Sequence, residues 1–276
     1  MTQFYRYSFL FTLLLCSLLS KAQFDGEKYD KESFLIGMLN EYMGYQRTFT
    51  NRDDFYYQRV DIMSKHNLKN SLFIDSMFNL DYTDITIVNN GAPQGIKMYS
   101  PTLSLKIDDY YNYKPNGITT LPGDTVYGGN LKKEKFKTEK QKLSFLLGAY
   151  LRYGGDKVRT NSIIQLLKKE KLLNKEKEYE NVSYGLFMPN APTKAKICVE
   201  FLKDLACKNV EYVFRKSIPA GNFVIFIPYN TILEVINEAE RLEKYIEKID
   251  TNHVEFTPDG TKFIWDEPAN PAFQKK

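Results

Sequence analysis

The stretch SFLIGMLNEYMG, residues 33–44, returns as SFLLGAYLRYGG, residues 144–155, with serine, phenylalanine, leucine, the first glycine, a tyrosine and the last glycine in matching places. Apolar residues recur at three- and four-residue steps in both copies, so each spells a helix with a glycine in its interior, Gly37 in one and Gly148 in the other. An interior glycine costs a helix about 1 kcal/mol relative to alanine. The simplest offset is close approach of another backbone across the missing side chain. Gly44 and Gly155 stand seven residues further on, about two turns and nearly on the same face, and with Gly154 they read as helix ends. The pattern supports two helices in equivalent places of two related halves of one compact domain, packed on each other.

A glycine-marked helix occurring twice at this separation resembles, over about a dozen residues each time, the paired motif of LAGLIDADG homing endonucleases. That resemblance implies helices meeting at a pseudo-twofold axis, each placing an acid on a DNA-cleaving metal. The chain departs from it where the acid should precede the terminal glycine, since Tyr42-Met43 and Tyr153-Gly154 stand there. Packing accounts for the residues that are present.

The first residues set the compartment. Arg6 precedes an apolar run from Phe9 to Leu19, too short to span a bilayer, and Ser20-Lys21-Ala22 puts small residues at the places a signal peptidase reads. Residues 1–22 are therefore expected to be a signal peptide cut after Ala22, delivering the chain to the periplasm or beyond. Leu15 before Cys16 argues against a lipoprotein. No later run is long and apolar enough for a transmembrane segment. Without residues 1–22 the chain is close to charge balance, about +2, and its most basic run, LKKEKFKTEKQK, is diluted by glutamates, which excludes nucleic acid as the expected partner. Cys198 and Cys207 lie nine residues apart along helical patterning, roughly 13 Å, beyond disulfide reach, and read as small apolar residues.

The fold class is α+β. Residues 23–80 read as a helical segment, with helices over 33–44, 53–66 and 69–79. Residues 81–137 read as short strands, DITIVNN, IKMYS and SLKIDDYYNY, between glycine- and proline-rich turns. Residues 138–276 form an α/β half. Thr138 with Gln141, and Thr231 with Glu234, make capping boxes, the second opening a helix whose stripe is Ile232, Val235, Ile236, Ala239, Leu242 and Ile246. The order over 182–257 is βαββα, and a last strand from HVEFT or FIW would complete a ferredoxin-like βαββαβ unit.

Familiar catalytic signatures are missing: no G-x-S-x-G, S-x-x-K, H-E-x-x-H, P-loop or C-x-x-C occurs, and the two histidines, His66 and His253, read as ordinary residues. No metal or cofactor is expected. The richest surface is the middle segment, where Tyr99, Tyr110, Tyr111, Tyr113 and Tyr127 alternate with Asp108, Asp109, Asn112, Asn116 and Asp124. Tyrosines give flat amphipathic contact area and the carboxylates accept hydrogen bonds, which suits a glycan or a protein partner of the envelope or extracellular space. A non-catalytic binding protein is the favoured reading. An envelope hydrolase using carboxylates or a cysteine, and a subunit of a surface assembly, stay open beside it.

Overall fold

Helix α1 (Lys31–Met38) opens on Asp30, whose side chain accepts the Ser33 N–H at 2.8 Å, and every residue from Ser33 to Met38 is buried. A computed structural model describes residues 24–42, 44–50, 52, 55–63, 67–89, 95–120, 123–173, 179, 183–218, 220–251, 254–256 and 263–265. The expected signal peptide, Cys16, His66 and His253 lie outside these residues.

The counterpart of α1 is α5 (Glu139–Tyr153), started by the Thr138–Gln141 capping box and buried over Ser144–Ala149. The two cross at their glycines. A methyl built on Gly37 would lie 2.0 Å from the Phe145 carbonyl oxygen, and one on Gly148 would lie 2.0 Å from the Phe34 carbonyl oxygen. The contact is reciprocal: each helix offers its glycine to the phenylalanine three places earlier in the other copy. Ser144 adds a join, its hydroxyl oxygen accepting the Asp30 N–H at 2.8 Å.

Gly44 and Gly155 differ from the expectation. Helix α1 ends at Met38, so Gly44 is not on its face; it sits in a following turn with φ of 84°, against the Gly129 backbone. Helix α5 stops at Gly154 in extended conformation, which bridges to Leu186, and the Gly155 N–H donates to the Gly185 carbonyl. Lys194 provides the stop for α1 instead, its ammonium donating to the carbonyls of Ile36, Gly37 and Leu39 at 2.8, 3.0 and 2.7 Å.

Two three-stranded antiparallel sheets follow the same plan. In the first, β1 (Tyr45–Arg47), β5 (Tyr111–Thr119) and β6 (Thr125–Leu131) run in the order β1-β6-β5, and the hairpin is preceded by helix α4 (Pro101–Asp108). In the second, β7 (Tyr184–Met188), β8 (Lys208–Arg215) and β9 (Gly221–Ile227) run in the order β7-β9-β8, and the hairpin is preceded by α7 (Pro192–Asp204). Both preceding helices begin Pro-Thr, with proline where its missing N–H does no harm. Between β1 and α4 lie α2 (Phe55–Gln58), β2 (Arg59–Met63), α3 (Leu68–Phe78), β3 (Thr86–Asn89) and β4 (Ile96–Tyr99), with a sheet of its own in the order β2-β4-β3. Between α5 and β7 lies α6 (Lys157–Lys169), whose Ile164 and Leu167 cover Val213, Phe223 and Ile225. Helix α8 (Asn230–Glu247) closes the main core with the six stripe residues, all buried. The whole is a mixed α+β fold of helices and small antiparallel sheets.

Four local expectations are corrected. Among the described residues of 53–66, Phe55–Gln58 are helical and Arg59–Met63 form a strand because their backbone pairs with β4. The segment SLKID is helix, since Ser100 caps the Leu103 N–H at 3.0 Å and Pro101 presets the first turn. The Thr231–Glu234 box does not form: α8 starts after Tyr229 without a side-chain cap, and Glu234 binds the Lys28 ammonium at 3.0 Å. Finally, β10 (Val254–Phe256) and β11 (Phe263–Trp265) pair with each other rather than extending the β7-β9-β8 sheet.

Candidate functional site

The middle segment supplies β5 and β6 of the β1-β6-β5 sheet, and register sorts the sheet's side chains into two faces. Tyr45 and Tyr113 flank Gly129, Arg47 flanks Tyr127, and Tyr111 opposes Leu131. This face points to the core. The Tyr45 and Tyr111 rings stack with centres 4.8 Å apart. Gly129 is required beneath them, because a methyl there would lie 2.9 Å from the Tyr113 ring and 3.1 Å from the Tyr111 Cβ.

The tyrosine hydroxyls here end on four acceptors, of which Glu41 and the Arg59 carbonyl are buried and Glu32 and Asp108 half-buried. Tyr111 donates to Glu41 at 2.5 Å, Tyr110 to Glu32 at 3.3 Å, Tyr113 to Asp108 at 2.5 Å, and Tyr45 to the Arg59 carbonyl at 2.6 Å. Burial pushes all four hydroxyls well above the ordinary tyrosine value, and the neighbouring carboxylates push Tyr110, Tyr111 and Tyr113 further. Asp108 also takes the Arg47 guanidinium at 2.5 Å, an arginine whose side chain is 2% exposed. Deeper, Glu41 stands 3.4 Å from the Lys194 ammonium, and burial lowers that lysine's pKa.

Among the residues singled out by sequence, Tyr111, Tyr113 and Asp108 are therefore brought together, while the Tyr110 ring packs on Phe136 and its hydroxyl goes to Glu32 near the start of α1. Tyr110 and Tyr111 are buried. The others are dispersed. Tyr99 lies in the β2-β4-β3 sheet edge-on to Phe55, Asp109 is exposed after α4, Asp124 accepts the Thr50 hydroxyl at the β5–β6 turn, and Tyr127 meets Phe49 edge-on. Cys198 and Cys207 are free; burial raises both thiols, and Cys198 is fully enclosed.

The opposite face of the sheet carries Gln46, Asn112, Lys114 and Asn130, three of them exposed. Beside it runs a groove of about 410 Å³ lined by Glu41, Lys114, Asn116, Asn130, Asn190 and Thr193. The Thr193 hydroxyl donates to Asn130 Oδ1 at 3.2 Å, which ties the start of α7 to the sheet. Asn112 and Asn116 belong to the tyrosine-rich surface expected from the sequence, whereas Gln46, Lys114, Asn130, Asn190 and Thr193 do not; the alternation in YNYK is the one local signal for Lys114. Among the described residues no group of three or more histidine, cysteine, aspartate or glutamate side chains could hold a metal, and no helix is long and apolar enough to cross a membrane. No known protein family, curated protein or solved structure matches the chain.

Proposed function

We propose that the chain is an exported, non-catalytic binding protein that holds a glycan of the envelope or extracellular space on the polar face of the β1-β6-β5 sheet. The observation that carries this reading is the groove, where the amides of Asn116, Asn130 and Asn190, the Thr193 hydroxyl, Lys114 and the enclosed Glu41 are set among glycines, prolines and an alanine. Neutral donors and acceptors at fixed spacing suit the hydroxyls of a sugar. Export rests on residues 1–22 of the sequence. On the same terms we read β7 to α8 as a ferredoxin-like unit short of its last strand, which serves to hold the start of α7 against the groove.

The test uses the secreted chain beginning at Gln23. Titrated with soluble peptidoglycan fragments and neutral oligosaccharides, it should bind at least one saturably and leave it uncleaved. Lys114→Ala with Asn112→Ala, both exposed on the polar face, should weaken that binding about tenfold or more without changing the unfolding midpoint. Turnover of the ligand would favour the hydrolase, and co-purified partner chains without glycan binding would favour the assembly subunit. Recovery of the native chain from the cytosol with residues 1–22 attached would remove the export reading.

A further inference from the structure

A second cavity, about 350 Å³, opens at the C-terminal ends of α1 and α5, where the two halves meet. The first half contributes Asn40 and Tyr42 to its wall, and the second contributes Arg152, Tyr153, Arg159 and Phe187. Cavities of this size at such junctions commonly take small molecules.

The charge on the wall is unequal. Arg152, with its side chain 11% exposed, is matched by Asp61, which is fully buried and 3.2 Å from Nη1, while Nη2 donates to the Ile62 carbonyl at 3.1 Å. Asp61 is in turn fixed by the backbone N–H groups of Asn40 and Ile62, both at 2.9 Å. Arg159 is different. It is exposed on the first turn of α6, and among the described residues no carboxylate pairs with it. Its stem lies close over Gly155, where an added methyl would meet the Cδ at 3.3 Å, and its guanidinium carbon stands 6.0 Å from the centre of the Phe187 ring. Among the described residues the cavity thus presents one guanidinium without a carboxylate partner, beside three aromatic rings, of which Tyr42 is 47% exposed.

We propose that this cavity binds a small monoanion, a carboxylate joined to an aromatic or bulky apolar body, with the carboxylate on Arg159 and the body against Tyr42, Tyr153 and Phe187. The planar fork of arginine matches the two oxygens of a carboxylate, and ring faces favour a flat apolar partner. A dianion fits less well, because Asp61 has already taken up the charge of Arg152. The site is separate from the glycan groove and does not depend on that reading.

Calorimetric titration of the chain from Gln23 with N-acetylphenylalanine and with its amide tests the proposal. The acid should bind saturably, and the uncharged amide at least about tenfold more weakly. Arg159→Gln should erase the difference, Arg159→Lys should keep part of it, and Asn130→Ala, in the groove, should leave it intact. Arg159 is exposed, so its variants should unfold at the parent midpoint. Equal affinity for acid and amide, undiminished binding by Arg159→Gln, or no heat from either compound at millimolar concentration would overturn it.

Discussion

Gly37 and Gly148 decide how closely the halves can join. A methyl on either meets a carbonyl oxygen at 2.0 Å, and that atom belongs to a helix backbone, so α1 and α5 have to move apart. Overpacking costs about 1–3 kcal/mol and sometimes more, against about 1 kcal/mol gained in helix propensity. Gly37→Ala and Gly148→Ala are each expected to lose about 2 kcal/mol in urea unfolding. Both methyls press on one crossing, so the double variant should lose less than the sum of the two; additive losses would mean that the glycines act independently. Asp75 on α3 works the other way. Burial raises its carboxyl from 3.8 to about 6. Between those values the folded chain binds more protons than the unfolded one, so stability present below pH 3.8 is lost as pH rises through 6. Asp75→Asn should be more stable than the parent by about 2 kcal/mol near pH 7 and equal to it near pH 4. No gain at neutral pH would show a well-solvated carboxylate.

Helix α1 shows what a single element draws from distant sequence. Lys194, on α7, closes it by satisfying three carbonyls and facing Glu41. Lys194→Met should cost about 3 kcal/mol because it leaves the carbonyls and a buried glutamate without their cation, and adding Glu41→Gln should recover part of the loss. Full stability of Lys194→Met in urea would make the ammonium dispensable. Such a stop is invisible to local reading, which looks for glycine near the helix end. Elements ruled by their own periodicity were legible: α5 with its capping box, and α8 with its six-residue stripe. Arg59–Met63 were not, because pairing with β4 outweighs a weak helical pattern, and neither was α4, whose Ser100-Pro101 start looks like a turn. In the candidate site the tyrosines were legible as aromatic surface but not in their direction. Tyr110 lies in the turn before β5, so it and Tyr111 both turn inward, where strand alternation would have separated them. Arg159 and Phe187 meet across two elements, and no spacing in the sequence announces that.

Across the whole molecule, the tyrosine hydroxyls make an internal titration load. Tyr45, Tyr110, Tyr111 and Tyr113 in the first half, with Tyr150 and Tyr153 on α5, all have pKa values raised first of all by burial. In the unfolded chain these groups ionise near 10, so above that pH the folded chain binds more protons and stability falls with rising pH. Each such hydroxyl contributes about 1.4 kcal/mol per pH unit, and six together exceed the stability of an ordinary domain within about one or two units. Lys194 opposes this, since its lowered pKa makes stability rise until the unfolded lysine deprotonates near 10.5, but it is a single group. The chain should therefore hold these protons past pH 10 and then lose them together with its fold. Tyrosinate absorbance and far-ultraviolet circular dichroism, followed along one alkaline titration, should show a coincident step, and Tyr111→Phe should reduce its proton count by about one. Tyrosinate appearing in full while the dichroism is unchanged would place those hydroxyls in contact with water and dissolve the core layer that joins the β1-β6-β5 sheet to Glu41 and Lys194.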